Sequence, residues 1–165
     1  MASTARGTQA VWAFEEHEHR DLVRGINRLH EVACEIGRRP TPELSVDVIH
    51  CLQWVDSILV PHIAWEESWL YPAIEVRTGT PWATRAARFD HLQIREMAER
   101  LRADQPRLLS HLPGDHATDV RCHLFGLEAL LRAHIEREER FLIPLLEDEP
   151  AAADVASRPA PVGPA

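Results

Sequence analysis

The sequence predicts an all-α chain: an antiparallel, up-down-up-down four-helix bundle made of two pseudo-repeated αα-hairpins. Three observations predict it. The chain repeats itself at a constant offset of 72 residues, so that His19 matches His91, His62 matches His134 and Glu66 matches Glu138. Behind each leading His, apolar residues recur at +3, +7 and +10 (Leu22, Ile26, Leu29 and Ile94, Ala98, Leu101), which is one face of an α-helix. Proline and glycine then cut the chain into four long helical segments.

The repeat extends beyond the polar residues. Laying 48–75 over 120–147 gives ten identities in 28 positions with no gap, among them Val48/Val120, Leu59/Leu131, Ile63/Ile135, Pro72/Pro144 and Glu75/Glu147. Each copy reads as an αα-hairpin. Only two copies occur, so a closed bundle fits better than a solenoid.

The first helix is expected over about 11–37, stopped by Arg38-Arg39-Pro40. Thr41-Pro42 places an N-cap before a proline at the first helical position, so the second helix starts there and runs to about 76. Gly79 ends it. Thr80-Pro81 repeats the capping pattern for a third helix over about 81–111. Pro113-Gly114 is a turn, and the fourth helix spans about 116–147. Pro61, Pro72, Pro106 and Pro144 fall inside these spans; each removes a backbone donor and is expected to kink or end its helix locally. The plain alternative is that the second helix is two shorter ones. Connections this short favour antiparallel neighbours.

Length allows one domain, over 11–147. Residues 1–10 are small and polar and are expected to be loose; the Ala/Pro-rich stretch 148–165 is expected to be a disordered tail. A net charge of −8 without a basic cluster argues against nucleic acid as a partner. No apolar run approaches 18 residues and no signal pattern is read, so no membrane partner is expected. Cys34, Cys51 and Cys122 are an odd set without framework spacing. Reduced thiols, and cytoplasmic localisation, are the expectation.

A residue and its i+4 neighbour differ by about 40° around a helix and about 6 Å along it. His62 and Glu66 therefore point the same way, as do His134 and Glu138. The stripe they share is otherwise apolar: Val55, Ile58, Leu59, Trp69 and Leu70 in one copy, Leu127, Leu130, Leu131, Phe141 and Leu142 in the other. A carboxylate on a buried apolar stripe is costly unless paired or coordinated. For one His, a core histidine is the ordinary reading; six polar residues in register make a metal site the better one. The candidate metal ligands are His19, His62, Glu66, His91, His134 and Glu138. Imidazole and carboxylate suit iron, manganese or zinc. Two His per metal with both carboxylates bridging leaves coordination positions open.

These residues resemble the hemerythrin family, specifically its bacterial HHE cation-binding branch. The resemblance rests on EHRDL around His19, HIAWEESWLYP from His62, FDHLQI around His91 and HIEREERFLIP from His134, and covers about 11–147. It implies a left-twisted four-helix bundle with two non-haem iron ions, oxo- or hydroxo-bridged, ahead of manganese or zinc. It implies a small-molecule partner: O2, nitric oxide or peroxide. The chain departs from the O2-carrying members twice. Arg95 stands where they have a second His one turn after His91, and Glu138 at +4 replaces their Asp at +5. A more open centre favours redox reactivity or sensing over reversible O2 carriage. Two functional readings follow: a peroxide- or nitric-oxide-consuming redox protein, and an iron-binding or O2/iron-sensing module without turnover.

His17 maps onto Phe89, so His19 is preferred over it. Glu15, one turn before His19, maps onto Ala87 and is read as a solvated acid or an acid beside the site, with an extra ligand as the alternative. Glu67 and Glu139 lie about 140° from the His face of their own helix and are read as solvated or ion-paired. Cys51 and His123 occupy equivalent positions, either as core polar residues or as a thiol with its base. Trp69 and Phe141 are read as core packing, with a wall controlling access as the functional version.

Overall fold

The computed structural model describes the backbone of residues 2–109 and 115–147, and the side chains of 19–108 and 116–146. The expected tail at 148–165, and the side chains of Glu15 and His17, lie outside the described residues. Among the described residues there is no strand. Four long helices make up the fold, consistent with a four-helix bundle.

The first helix, Ala2–Glu35, begins well before Val11. Residues 2–10, expected to be loose, are therefore helical. They contain no proline and three alanines, the strongest helix former. Gly37 adopts a left-handed φ of 86° and turns the chain. The second helix, Thr41–Thr78, is continuous, and Gly79 at φ 70° caps it in a left-handed conformation. The backbone N–H of Thr80 closes that cap on the Glu75 carbonyl at 3.1 Å. Residues 81–84 form turns, so the third helix starts at Arg85 rather than at Pro81. Thr80 caps this turn instead, its Oγ1 accepting from the Trp82 N–H at 3.3 Å. A 3-10 turn, Gln105–Leu109, follows the third helix and holds Pro106 near its start. The fourth helix runs over 115–147.

Three prolines inside the helices neither break nor split them. Each follows a π-helical turn by the same spacing: Val55–Leu59 before Pro61, Glu66–Leu70 before Pro72, Glu138–Leu142 before Pro144. A proline cannot donate to the carbonyl four residues back, and its ring crowds that carbonyl. The wide turn relieves the crowding: the residue before each proline donates five residues back, as Ile143 does to the Glu138 carbonyl at 2.9 Å. The second helix is therefore one helix with two π turns.

The π turns also change which residues face inward. In a plain α-helix the third and fourth residues after Glu66 would both be interior. Across the wide turn the fourth and fifth are, Leu70 and Tyr71, while Trp69 turns out and is 70% exposed. Leu142 and Ile143 are buried and Phe141 is 65% exposed for the same reason. Ile58 is likewise exposed. The expectation that Trp69 and Phe141 pack in the core is thus corrected.

Leu22, Ile26, Leu29, Ile94, Ala98 and Leu101 are all buried, as their spacing requires. They belong to a large apolar cluster with Val48, Leu59, Ile63, Leu124, Leu131 and Ile135. A smaller cluster contains Leu70, Tyr71, Ile74, Ala87 and Leu142. Each fully buried aliphatic side chain contributes about 1.5–3 kcal/mol. Along the second and fourth helices the candidate ligands fall between Leu59 or Leu131 in one cluster and Leu70 or Leu142 in the other. Thr41–Thr78 is long and apolar enough over an 18-residue window to cross a membrane by composition, which the sequence reading did not expect. In the bundle 39% of that window is buried; Val48, Leu52, Val55, Leu59 and Ile63 line the core, while Val46, Ile49, Ile58 and Val60 are exposed.

Candidate metal centre

The helices deliver six buried polar side chains to one place. His19 leads the apolar face of the first helix and His91 that of the third. His62 and His134 each stand one turn before a carboxylate that opens a π turn. Glu66, Glu138 and His91 are 0% exposed, and the other three are buried almost as completely.

Their donor atoms form two sets. His19, His62, Glu66 and Glu138 place one donor each within 4.8 Å of one another; so do Glu66, His91, His134 and Glu138. Both carboxylates are common to both sets. Glu66 Oε1 lies 2.5 Å from His62 Nε2, and its Oε2 lies 3.0 Å from His91 Nε2 and 3.8 Å from His134 Nε2. Glu138 Oε2 lies 3.5 Å from His134 Nε2 and 3.7 Å from His19 Nε2. His91 Nε2 and His134 Nε2 are 3.1 Å apart.

This arrangement fits a metal better than it fits a self-contained hydrogen-bond network. Neither oxygen of Glu66, nor Oε2 of Glu138, makes a well-formed hydrogen bond despite the imidazoles around it. Buried carboxylate oxygens left in that condition are costly. Ring nitrogens and carboxylate oxygens crowd together as donors do around a cation, and the set is chemically suited to iron, manganese or zinc. Burial by itself would push the Glu66 carboxyl up. The imidazoles of His134, His62 and His91 outweigh that and hold it well below the ordinary carboxylate range, so the group is an anion.

A seventh side chain enters the centre. Tyr71 Oη donates to Glu138 Oε1 at 2.6 Å and lies 3.1 Å from His91 Nε2. Its ring stacks on His91 at 5.3 Å and 19°. Burial, then the charges of Glu138 and Glu66, push its hydroxyl far above the ordinary phenol range, so the proton stays on Oη. The sequence reading missed Tyr71. Its counterpart 72 residues on is Ile143, so the repeat gave no sign of it.

An outer layer fixes the rings. Glu67 Oε1 takes His91 Nδ1 at 2.9 Å, and Arg95 grips both oxygens of Glu67 at 3.1 and 2.9 Å. Glu139 Oε1 lies 3.1 Å from His19 Nδ1. Asp90 Oδ2 stands 3.5 Å from His134 Nδ1 and pairs with Arg137. Holding Nδ1 this way turns Nε2 toward the centre and sets the tautomer. Burial pulls the Glu67 carboxyl up, but Arg95 and His91 hold it below the usual range. Glu67 and Glu139 are therefore ion-paired, as expected, but with imidazoles of the centre on neighbouring helices. Arg95 braces that layer.

Cys51 and His123 do not form the thiol-base pair considered above. His123 Nδ1 pairs with Asp104 at 3.0 Å. Cys51 is buried in the apolar cluster, and burial pushes its thiol up to about 11 against the opposing pull of Arg28.

A family model described as hemerythrin HHE cation binding domain matches residues 11–146. Neither the curated proteins nor the solved structures compared with the chain give a significant match.

Proposed function

This chain belongs to the hemerythrin HHE cation-binding family, and from that premise we propose that it is a non-haem di-iron protein that binds or reduces a small oxidant, O2, nitric oxide or peroxide. The observation that carries the reading is the pair of fully buried carboxylates, Glu66 and Glu138, common to two four-donor sets. His19 and His62 would complete one iron site, and His91 and His134 the other. Iron bound there supplies the electron-transfer and ligand-binding chemistry that small oxidants need.

The chain's own residues prepare that chemistry. Glu66 and Glu138 supply the negative charge that offsets two cations. Glu67, Glu139 and Asp90 orient three of the four imidazoles. Tyr71 keeps a proton at Oη, against Glu138, inside the donor cluster. With Arg95 turned to Glu67, the set at His91 and His134 has two imidazoles and no third.

The up-down-up-down arrangement of two repeated hairpins is part of this reading. It is supported by the 72-residue offset, by the matched π turns at Glu66 and Glu138, and by the pairing of the first and last helices. His19 meets Glu139, His30 meets Glu128 and Arg121 meets the Ile36 carbonyl, one number falling as the other rises. A cytoplasmic setting is supported by three free cysteines.

Metal analysis of the purified protein, with visible spectra before and after dithionite, tests the proposal. Iron at about two per chain, matching the two donor sets, with a charge-transfer band that dithionite bleaches, is the expected result. Turnover of peroxide or nitric oxide then separates a redox protein from a binding or sensing module. Zinc, or a single metal after careful iron loading, overturns the di-iron reading.

A further inference from the structure

A second array of chemistry-bearing side chains lies on the first helix, about 16 Å along its axis from His19. Cys34 Sγ is 3.5 Å from His30 Nε2, one helical turn away. His30 Nδ1 is 2.9 Å from Oε2 of Glu128 on the fourth helix. Glu128 is buried, and its other oxygen accepts from Arg132 Nε at 2.9 Å. Arg132 is held in turn by Asn27 Oδ1 at 2.8 Å. The Phe125 ring meets the His30 ring edge-on at 5.5 Å and 71°.

The chemistry of this row is directional. Burial pulls the Glu128 carboxyl up, but Arg132 and His30 outweigh it and hold it below the ordinary range. The carboxylate can only accept, so it takes the N–H of His30 Nδ1. That fixes the tautomer and leaves the lone pair of Nε2 facing the thiol. A cysteine and a histidine one turn apart on a helix surface often touch without consequence. What distinguishes this pair is a buried, separately anchored carboxylate on the far nitrogen of the ring, the arrangement that orients a base toward a nucleophile.

We propose that Cys34, His30 and Glu128 form a reactive-thiol site, separate from the metal centre, at which hydroperoxides oxidise Cys34 to a sulfenic acid. The sulfur attacks the distal oxygen of the hydroperoxide. An S–O bond forms, the O–O bond breaks, and the sulfur gives up two electrons to the peroxide. His30 Nε2 takes the thiol proton and passes it to the departing alkoxide or hydroxide, which leaves as an alcohol or water. Glu128 is a positioning residue: it holds His30 in the tautomer that can accept.

The test compares two cysteines within the full-length protein. Iodoacetamide labelling of Cys34 and Cys122 is followed by peptide mass spectrometry in one tube. Cys122 is the more exposed of the two, so access alone favours it. The expected result is labelling of Cys34 about tenfold faster than Cys122, falling to the rate of Cys122 in His30→Gln and to an intermediate rate in Glu128→Gln. Treatment with cumene hydroperoxide and dimedone is expected to give an adduct on Cys34 that His30→Gln largely abolishes. Equal or slower labelling of Cys34 in the unmodified sequence overturns the proposal. So does fast labelling without a dimedone adduct, or an adduct that His30→Gln leaves unchanged.

Discussion

Tyr71 and Glu138 come from opposite halves of the chain and meet through a 2.6 Å hydrogen bond inside the polar centre. That bond satisfies one oxygen of a carboxylate whose other oxygen has no well-formed hydrogen bond. Tyr71→Phe removes the donor and keeps the ring against His91. A buried acceptor left unmade costs about 1–3 kcal/mol. The metal-free protein is therefore expected to lose about that much stability, read from urea unfolding. An unchanged urea midpoint would show that the bond contributes nothing.

The outer carboxylates should matter to metal without touching it. Glu67 and Glu139 hold the Nδ1 atoms of His91 and His19. Loss of such a partner typically costs about 10–100-fold in metal affinity. Glu67→Gln and Glu139→Gln are expected to weaken iron binding by that order in a chelator competition. Glu43→Gln, on the surface with Arg39, serves as a reference and should leave it unchanged. Equal affinity in all three variants would assign Glu67 and Glu139 to surface ion pairing only.

How much of this was legible in the sequence depends on the residue. The six centre residues were, because the repeat filtered out rivals such as His17, and the structure gathers all six. Tyr71 was not, because the same filter discards anything present in one copy only. Glu67 and Glu139 were placed by their angle from the His face of their own helix, whereas their partners stand on neighbouring helices. Trp69 and Phe141 were misplaced because a 3.6-residue period was carried through a π turn. The signal for that turn was in the chain: a proline six residues after Val55, Glu66 and Glu138. It reads as a wide turn only when the surrounding apolar pattern continues past the proline, as it does here with Leu70 and Ile74.

Gly25 of the first helix packs directly against the Trp54 indole of the second. A methyl group at that position would overlap the middle of the Trp54 indole, not a flexible end. Alanine is the better helix former by about 1 kcal/mol, but displacing a packed indole costs typically 1–3 kcal/mol. Gly25→Ala is expected to destabilise the fold, with Trp54→Leu in the same chain restoring part of the loss. A more stable Gly25→Ala protein would mean that the indole moves aside freely.

Cys51 makes a prediction about alkaline pH. Its thiol is raised from 9.0 to about 11 by burial. The folded state therefore holds a proton that the unfolded state releases first. Its contribution is fully present below about pH 9 and is lost as pH rises toward 11. Between pH 8 and pH 10.5 this group should remove roughly 2 kcal/mol of stability. Cys51→Ala lowers stability at both pH values through the cavity it leaves, but should flatten the decline by about that amount. Parallel urea midpoints for the two proteins across this range would show that the Cys51 proton is not the cause.

The deepest test of the centre compares stability with and without metal. Glu66 and Glu138 are each common to both donor sets, so removing either one takes a ligand from both positions at once. Any ion that binds only the folded state stabilises it, by about 3–4 kcal/mol at 100–1,000 times its Kd. Iron loading is expected to raise the Tm of the unmodified chain, and to raise it little or not at all in Glu66→Ala and Glu138→Ala. The metal-free variants have a different balance. Each loses a methylene stem and gains a small cavity, which destabilises. Each also loses a fully buried carboxylate; at Glu66 the relief of desolvation is outweighed by the loss of its imidazole partners, and at Glu138 the Tyr71 hydroxyl loses its acceptor. These effects add, so the metal-free Tm is expected to fall in both variants, and the metal-induced rise to be lost besides. Differential scanning calorimetry, paired with iron content, reads both quantities in the same samples. Full iron and an undiminished Tm rise in both variants would place the ions elsewhere in the chain.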